Sequence, residues 1–415
     1  MKLLHFSDIH ARDNDIDEIE KCLNAIVQAG WNHSPDLIVC AGDVFDSQNV
    51  KLDSKAAKLI FNVFTQLADI APVAVVIGTP SHDGTAAEVL EHVKAQHQVR
   101  VSKRPEQFLL VRRNNGTSFI DDPMLSEDDG IMAIISMVPT PTKQFFNSAS
   151  DIKGSDNEIA QAMGGMFAGF GARAAGFPGV PHIMVGHFQV GGAFISETQQ
   201  LAGLDIEIST EQIGYSAATL CLLGHIHKSQ QIGDNIFYSG SIYRKDFGEL
   251  DPKGFYIHEI DMAGAVTSRF KETPTRKLIK ISKDFTSRNH IEEANELIEI
   301  ASNDYDDIDG AFIRVELKCY QDEAGKLDKA AITAIFDGAA DVDIRIIRII
   351  RIIRVPRENV RSAHILKLVT LRDKILEMAR LKSELVPDSV LMKADFLENM
   401  MPDMVLSGAL AGGVA

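Results

Sequence analysis

Five short apolar runs in this chain each give way, within a few residues, to a carboxylate or a histidine. Leu3-Leu4-His5-Phe6 is followed by Asp8 and His10, Leu37-Ile38-Val39-Cys40 by Gly42-Asp43, and Val73 to Ile77 by Gly78 and then His82-Asp83. Ile183-Met184-Val185 leads to Gly186-His187, and Leu220 to Leu223 leads to Gly224-His225-Ile226-His227. Runs of this length bounded by Gly or Pro read as buried strands. Side chains just beyond strand ends converge on one edge of a sheet, where α/β folds hold their ligands. Aspartates and histidines gathered there point to a metal centre. Nitrogen and hard oxygen donors without cysteine suit two borderline divalent ions such as manganese.

Residues 1 to about 272 alternate strand-like and helix-like segments, the order of a layered α/β domain with parallel pairing. Ile16, Ile19, Cys22, Leu23, Ile26 and Val27 recur at helical spacing, with Gly30 as the expected C-cap. A second helix is expected over Ser54 to Asp69. Past residue 100 the strands follow more directly, which predicts a mixed second sheet packed on the first. Residues 139 to 181 read as an insertion, either a mobile helical flap or a plain surface helix. From Thr273-Pro274 a compact α+β unit is expected, with strands at Lys277–Ile281, Phe312–Leu317 and Asp341–Val355 and helices at Ile291–Ala301 and Lys329–Phe336. The domains are therefore read as 1–272, 273–360, a helical segment 361–403 and a disordered tail 404–415. Within 344–354 an Ile-Arg repeat places Arg345, Arg348, Arg351 and Arg354 three apart. That period matches neither a strand nor an α-helix. Both a DNA-facing stripe and an edge strand with arginines on its two faces are consistent with it.

The N-terminal ten residues are too short and polar for a signal peptide, and no apolar stretch approaches a membrane span. Cys22, Cys40, Cys221 and Cys319 are scattered, and two of them sit inside apolar runs, so buried reduced thiols and a cytoplasmic location are expected. The net charge of −16 argues against a generic basic nucleic-acid binder. Bound divalent cations would reverse the local field, so the acidity does not exclude a DNA substrate.

In a two-metal site the ions lie ~3.5–4 Å apart and clamp the attacking and leaving oxygens of an in-line displacement. A carboxylate with two oxygens can bridge them, and Asp43 beside Gly42 is the candidate. Asp8 and His10 are two apart, so on an extended segment they project to one side. His225 and His227 repeat that spacing, and His187 completes the set. Singly, a DxH or a GD arises by chance and a lone buried histidine is usually structural; the ordered set after successive strands carries the reading.

This ordered set resembles the calcineurin-type metallophosphoesterase superfamily. Tyr238-Ser239-Gly240-Ser241, Arg244, Phe247-Gly248-Glu249, Lys253-Gly254-Phe255 and Asp43-Val44-Phe45-Asp46 are in turn similar to segments of the SbcD and Mre-eleven DNA nucleases. The resemblance implies a four-layer α/β/β/α sandwich with an added α+β capping domain and C-terminal helices. It also implies that Asp8, His10, Asp43 and His227 hold one metal and that Asp43, His187 and His225 hold the other. His82, oriented by Asp83, would protonate the leaving oxygen, and Arg244 would contact substrate. The family motif places an asparagine before that histidine, as a ligand of the second metal. Here the stretch is Gly78-Thr79-Pro80-Ser81-His82-Asp83, two residues longer and without asparagine. Ser81 takes the place before the histidine, and Thr79 or water is the alternative. Two metal ions, one loosely held, are expected.

Further implications are a manganese-dependent exonuclease or endonuclease acting on DNA ends or hairpins in repair or recombination. Its helices after Ser362 would dock on a coiled-coil ATPase of the SbcC type, and the chain would form a homodimer. The alternatives are a small-substrate phosphodiesterase or protein phosphatase with the same metals, and a non-catalytic scaffold.

Overall fold

The computed structural model describes residues 1–114, 116–121, 130–142, 156–197, 199, 206–286, 291–305, 308–349 and 365–399. It divides into two compact units, Met1–Ile349 and Ile350–Ala415. The chain first lays down β1 (Lys2–Phe6), β2 (Leu37–Cys40), β3 (Val73–Val76) and β4 (Val99–Ser102) as parallel neighbours. Parallel pairs need long crossovers, and α1 (Ile16–His33) and α2 (Lys55–Ile70) supply the first two. A second sheet is then built from β5 (Glu106–Arg113), β6 (Gly116–Ile120), β7 (Gly130–Val138) and β8 (His182–His187). The short strands β9 (Gln189–Val190) and β10 (Glu207–Ile208) pair separately. β11 (Leu220–Gly224), β12 (Gln230–Ile232) and β13 (Ile236–Tyr238) complete the second sheet, and β14 (Gly254–Ile260) and β15 (Val266–Glu272) return to the first. The strand orders are β15-β14-β1-β2-β3-β4 and β12-β13-β11-β8-β7-β5-β6.

Alternation along the strands sends apolar side chains to both faces of each sheet, so three cores form. Leu4, Phe6, Ile38, Cys40, Val73 and Val75 pack against α1 and α2. Leu3, Leu37, Val39, Ala74 and Val76 meet Phe108, Ile135, Ile183, Val185 and Leu222 between the sheets. On the outer face of the second sheet, Met184, Cys221, Leu223 and Tyr238 pack with Ile159, Met163 and Phe167 of α4 (Asp156–Ala174), α3 being the short turn Thr85–Glu88. The result is the four-layer α/β/β/α sandwich that the metallophosphoesterase resemblance implied. The segment expected as a flap or plain surface helix is thus the fourth layer. Ile159, Met163 and Phe167 are four residues apart and form one buried stripe, a signal masked in sequence by the surrounding glycines. Residues 143–155 of that insertion lie outside the described residues.

α1 does not stop at Gly30. It runs on to His33, and Ser34, in the left-handed region, caps it through its N–H to Gly30 O. Gly30 instead makes room for α2: a Cβ there would come within 2.8 Å of Ile70 Cδ1. Ser54 caps α2, its hydroxyl accepting from Ala57 N at 3.1 Å.

The last sheet of the first unit is β16 (Leu278–Asp284), β17 (Phe312–Tyr320) and β18 (Asp341–Ile349), in that order and all parallel. α6 (Ala294–Ser302) and α7 (Lys329–Ala334) are its crossovers, α5 being the capping-box turn Thr210–Gly214. Ile279, Ile281, Ile313, Val315 and Leu317 pack with Ile298 and Ile332 on one face. β18 is an edge strand, and its period-three arginines cannot share a face. Arg345 lies opposite Glu316 and pairs with Asp343 at 2.9 Å, whereas Arg348 lies opposite the buried Cys319. Arg351 and Arg354 lie outside the described residues.

In the second unit, α8 (Leu371–Lys382) and α9 (Asp388–Glu398) form a helical hairpin joined by an Arg372–Asp395 ion pair and by Leu371 N donating to Glu398. Leu391, Ala379 and Ala394 are its buried residues, while Leu376, Met378, Leu381, Met392 and Phe396 are exposed. The tail 404–415 lies outside the described residues. All four cysteines are buried free thiols. Among the described residues no helix is long and apolar enough to cross a membrane.

Candidate metal centre

The C-terminal ends of β1, β2 and β3 in one sheet and of β8 and β11 in the other meet at a single edge. Backbone pairing continues past the strands there: Asp8 N donates to Gly42 O at 3.0 Å and His10 N to Asp43 O at 3.0 Å. The two sheets are joined at the same place. His187 Nδ1 donates to Ala41 O at 2.7 Å, and His225 N donates to Asp8 Oδ1 at 3.1 Å and Oδ2 at 3.2 Å.

The post-strand segments are not extended, contrary to the expectation for Asp8 and His10. Asp8, His10, Asp43 and His225 have φ of 52°, 45°, 51° and 90°, four of the seven non-glycine residues with positive φ among the described residues. Left-handed backbone costs of order 1–3 kcal/mol per such residue and persists where the surroundings impose it. Its concentration on four candidate ligands marks this edge as functional. Two glycines make the approach possible: a Cβ on Gly42, itself at φ 90°, would lie 2.4 Å from His187 Nδ1, and one on Gly78 would lie 2.2 Å from Asp43 Oδ1.

Ligand-capable atoms of Asp8, His10 and His227 lie within 4.8 Å of one another, as do those of Asp8, Asp43 and His187 and those of His10, Asp46 and His82. His10 Nε2 and His227 Nε2 face each other at 2.9 Å. Asp43 Oδ2 stands 3.3 Å from His187 Nε2 and 3.7 Å from His10 Nε2, within reach of both halves. The His187 and His225 rings sit edge to face at 5.2 Å. With Nδ1–H of His227 given to Glu249 Oε1 at 2.5 Å and that of His187 given to Ala41 O, each ring turns an Nε2 lone pair inward. Buried lone pairs and carboxylates converging in this way need a cation. The donor set therefore fits divalent metal.

Burial works to raise Asp43, but the neighbouring His187 wins and holds its carboxyl well below the usual range. Burial works to lower His187, but the Asp43 charge wins and lifts it to about 9. Burial, then Lys245 and His227, keep His10 well below the ordinary histidine value. Glu249 falls to about 2, because the hydrogen bond from His227 and the charge of Lys253 overcome its burial.

The third cluster departs from expectation at each position but His82, whose ring packs edge-on to His10 at 4.6 Å. Asp83 does not orient His82. Its Oδ1 accepts from Val44 N at 2.9 Å and Phe45 N at 3.1 Å, and its Oδ2 from Gly78 N at 2.9 Å. It thus ties the β2 and β3 loops together, while burial and the Asp43 charge lift its carboxyl to about 7. His82 is oriented by its Nδ1–H donating to Asp46 O at 3.0 Å. Ser81 is exposed, and its carbonyl accepts from Gln48 N. Thr79, two residues earlier, is the oxygen-bearing side chain that reaches the Asp43 and His187 donors.

Arg244 is likewise placed elsewhere. Its guanidinium donates to Arg276 O at 3.1 Å and Asp251 O at 3.3 Å, and its N donates to Thr275 Oγ1 at 2.9 Å. Arg276 answers through Arg244 O and Lys245 O and pairs with Asp15. This clamp fastens the connection between the sandwich and β16. Nearby, the Arg314 guanidinium of β17 lies 4.0 Å over the Phe247 ring.

Sequence reasoning missed the groups behind the ligands. Asp46 gathers Lys245 Nζ at 2.9 Å and Arg12 Nη1 at 3.4 Å, and approaches His10 Nδ1 at 3.5 Å. Glu249 also binds Lys253 Nζ at 3.2 Å, and Gln199 bridges His225 O and His227 N. Asp46 and Glu249 lay inside stretches already singled out, Asp43-Val44-Phe45-Asp46 and Phe247-Gly248-Glu249. Gln199 had no sequence signal.

Residues 1–188 match the family model of calcineurin-like phosphoesterases. No curated protein matches the chain. The match takes in Asp8, His10, Asp43, His82 and His187 and ends before His225 and His227, which the second sheet brings to the same edge. The chain therefore carries, over residues 1–188, a calcineurin-like phosphoesterase domain, the domain of a metal-dependent hydrolase, and the edge where its strands end holds Asp/His clusters fit for divalent ions.

Proposed function

We propose that this chain is a manganese-dependent DNA phosphodiesterase acting on ends or hairpins, the nuclease subunit of a repair or recombination complex. The observation that carries this reading is the double attachment of segment 241–253. On one side its Glu249 holds the metal ligand His227 and its Lys245 meets Asp46. On the other its Arg244 and Phe247 engage Arg276 and Arg314, at the entrance to and within the β16–β18 sheet. A small-substrate phosphoesterase has no need of an added sheet fastened to the backing of a metal ligand. A nuclease that must sense duplex geometry beside the scissile bond does.

Asp8, His10, Asp43 and His227 would hold one ion, and Asp43, His187 and His225 the other. Bound there, two divalent ions supply Lewis acidity and a nucleophile at neutral pH. The chain's own residues do the rest. Asp43 fixes the separation of the two halves, and Asp83 locks the loops that carry Asp43 and Thr79. His82, steered by Asp46 O, presents its Nε2 to protonate the leaving oxygen. The exposed apolar face of the α8–α9 hairpin suits docking on a coiled-coil ATPase of the SbcC type, and the assembly is a homodimer about this nuclease subunit.

The test compares manganese-dependent turnover of linear duplex and hairpin DNA with that of a cyclic nucleotide and a phosphopeptide. Cleavage of DNA, abolished by chelation, is expected. Turnover of the small substrates alone would overturn the nuclease assignment.

A further inference from the structure

The half of the centre built on Asp43 and His187 has no asparagine ahead of His82, and the surrounding loop leaves few oxygens to complete it. Both carboxylate oxygens of Asp83 are taken by three backbone N–H groups. The Thr79 carbonyl accepts from His82 N at 2.8 Å and Asp83 N at 2.9 Å, closing the turn. Ser81 is exposed, with its carbonyl given to Gln48. The Thr79 hydroxyl is placed differently. Oγ1 lies 3.3 Å from Asp43 Oδ2 and 3.4 Å from His187 Nε2, and those two atoms lie 3.3 Å from each other. Three donors thus form a nearly equilateral triangle. Neighbouring ligands of a six-coordinate ion with bonds of ~2.1 Å stand about 3 Å apart, so a few tenths of an ångström of closure would make this triangle one face of such a site. The residue is also anchored, its N donating to Asp43 Oδ1 at 2.6 Å.

We propose that Thr79 Oγ1 is a direct ligand of the second metal ion, standing where an amide oxygen would. A neutral hydroxyl is a weak donor, so this half binds its ion less tightly than the Asp8, His10 and His227 half. The inference rests on the two-metal reading of the site but not on the substrate.

The test is calorimetric titration of the chelator-treated full chain with Mn(II), read against the variants Thr79→Val and Thr79→Ser. The wild-type chain should show two sites of unequal affinity. Thr79→Val, which keeps the side-chain shape, should weaken the looser site by at least about tenfold and leave the tighter one unchanged. Thr79→Ser should restore the wild-type isotherm, which a purely steric role of the threonine would not require. Two unchanged sites in Thr79→Val, or failure of Thr79→Ser to rescue, would overturn the proposal. Absence of DNA cleavage with both isotherms as expected would instead remove the nuclease assignment and leave the ligand assignment standing.

Discussion

The two halves of the candidate metal centre are built in different ways. Around Asp8, His10 and His227, most supports are other side chains: Ser7 on Asp8, which also accepts from the backbone His225 N–H, and Glu249 with its Lys253 on His227. Around Asp43 and His187 the supports are backbone groups, namely the Ala41 carbonyl, the Thr79 N–H and a loop whose turn is closed by Asp83. The first kind of support fixes ring orientation and basicity through charge. The second depends on the path of the loop, so a change in loop length there would move the groups that support Asp43 and His187. The difference predicts which half is more sensitive to a change in its loop: the one supported by backbone.

Breaking the comparison altogether requires the residue that serves both halves. Asp43→Asn should lower phosphodiester turnover by about three orders of magnitude or more and disturb both binding events in a metal titration; loss of only one would deny its bridging place. His82→Ala should bind both ions as the wild-type chain does and lose ~10²–10⁴-fold in turnover, which single-turnover kinetics would separate from binding. Glu249→Gln sharpens the contrast from the other side. It should weaken the Asp8, His10 and His227 half by ~10–100-fold while sparing the Thr79 half, the mirror image of Thr79→Val.

The smallest effect concerns the floor beneath the first half. β1, which delivers Asp8 and His10, carries His5 stacked on His258 of β14 at 5.7 Å. Burial holds His258 at about 3, against an ordinary 6.5. The folded state therefore keeps it neutral, while the unfolded chain takes up a proton below about 6.5, so stability falls as pH drops from there toward 3. At pH 5 this amounts to about 2 kcal/mol. Urea denaturation at pH 7 and pH 5 should show that loss in the wild-type chain and a smaller one in His258→Phe. Equal losses would place the acid sensitivity elsewhere.

The same contrast accounts for what could be read from the sequence. The convergence of titratable side chains directly after a strand, such as Asp8, Asp43, His187 and the His225–His227 pair, was legible because strand ends converge whatever the loops do. The alternation of apolar runs sufficed for the layered sandwich. The third cluster was not legible, because which oxygen faces the centre depends on a turn closed by the Thr79 carbonyl, and nothing in the order Thr79, Pro80, Ser81 states that. The structural part of Arg244 was not legible for a related reason: a cation near a catalytic motif was read as a substrate contact, and the sequence does not show that its guanidinium donates to backbone carbonyls of the connection to β16. α4 was read as an insertion because its glycines hid the stripe of Ile159, Met163 and Phe167.

The most direct test of the two-ion site is one titration: turnover of bis(p-nitrophenyl) phosphate by the chelator-treated chain as Mn(II) is added in equivalents. A two-ion site of unequal halves should give no turnover without metal, little at one equivalent, and a rise to full activity only as the second, looser site fills. Full turnover at one equivalent, or turnover that survives chelation, would contradict it.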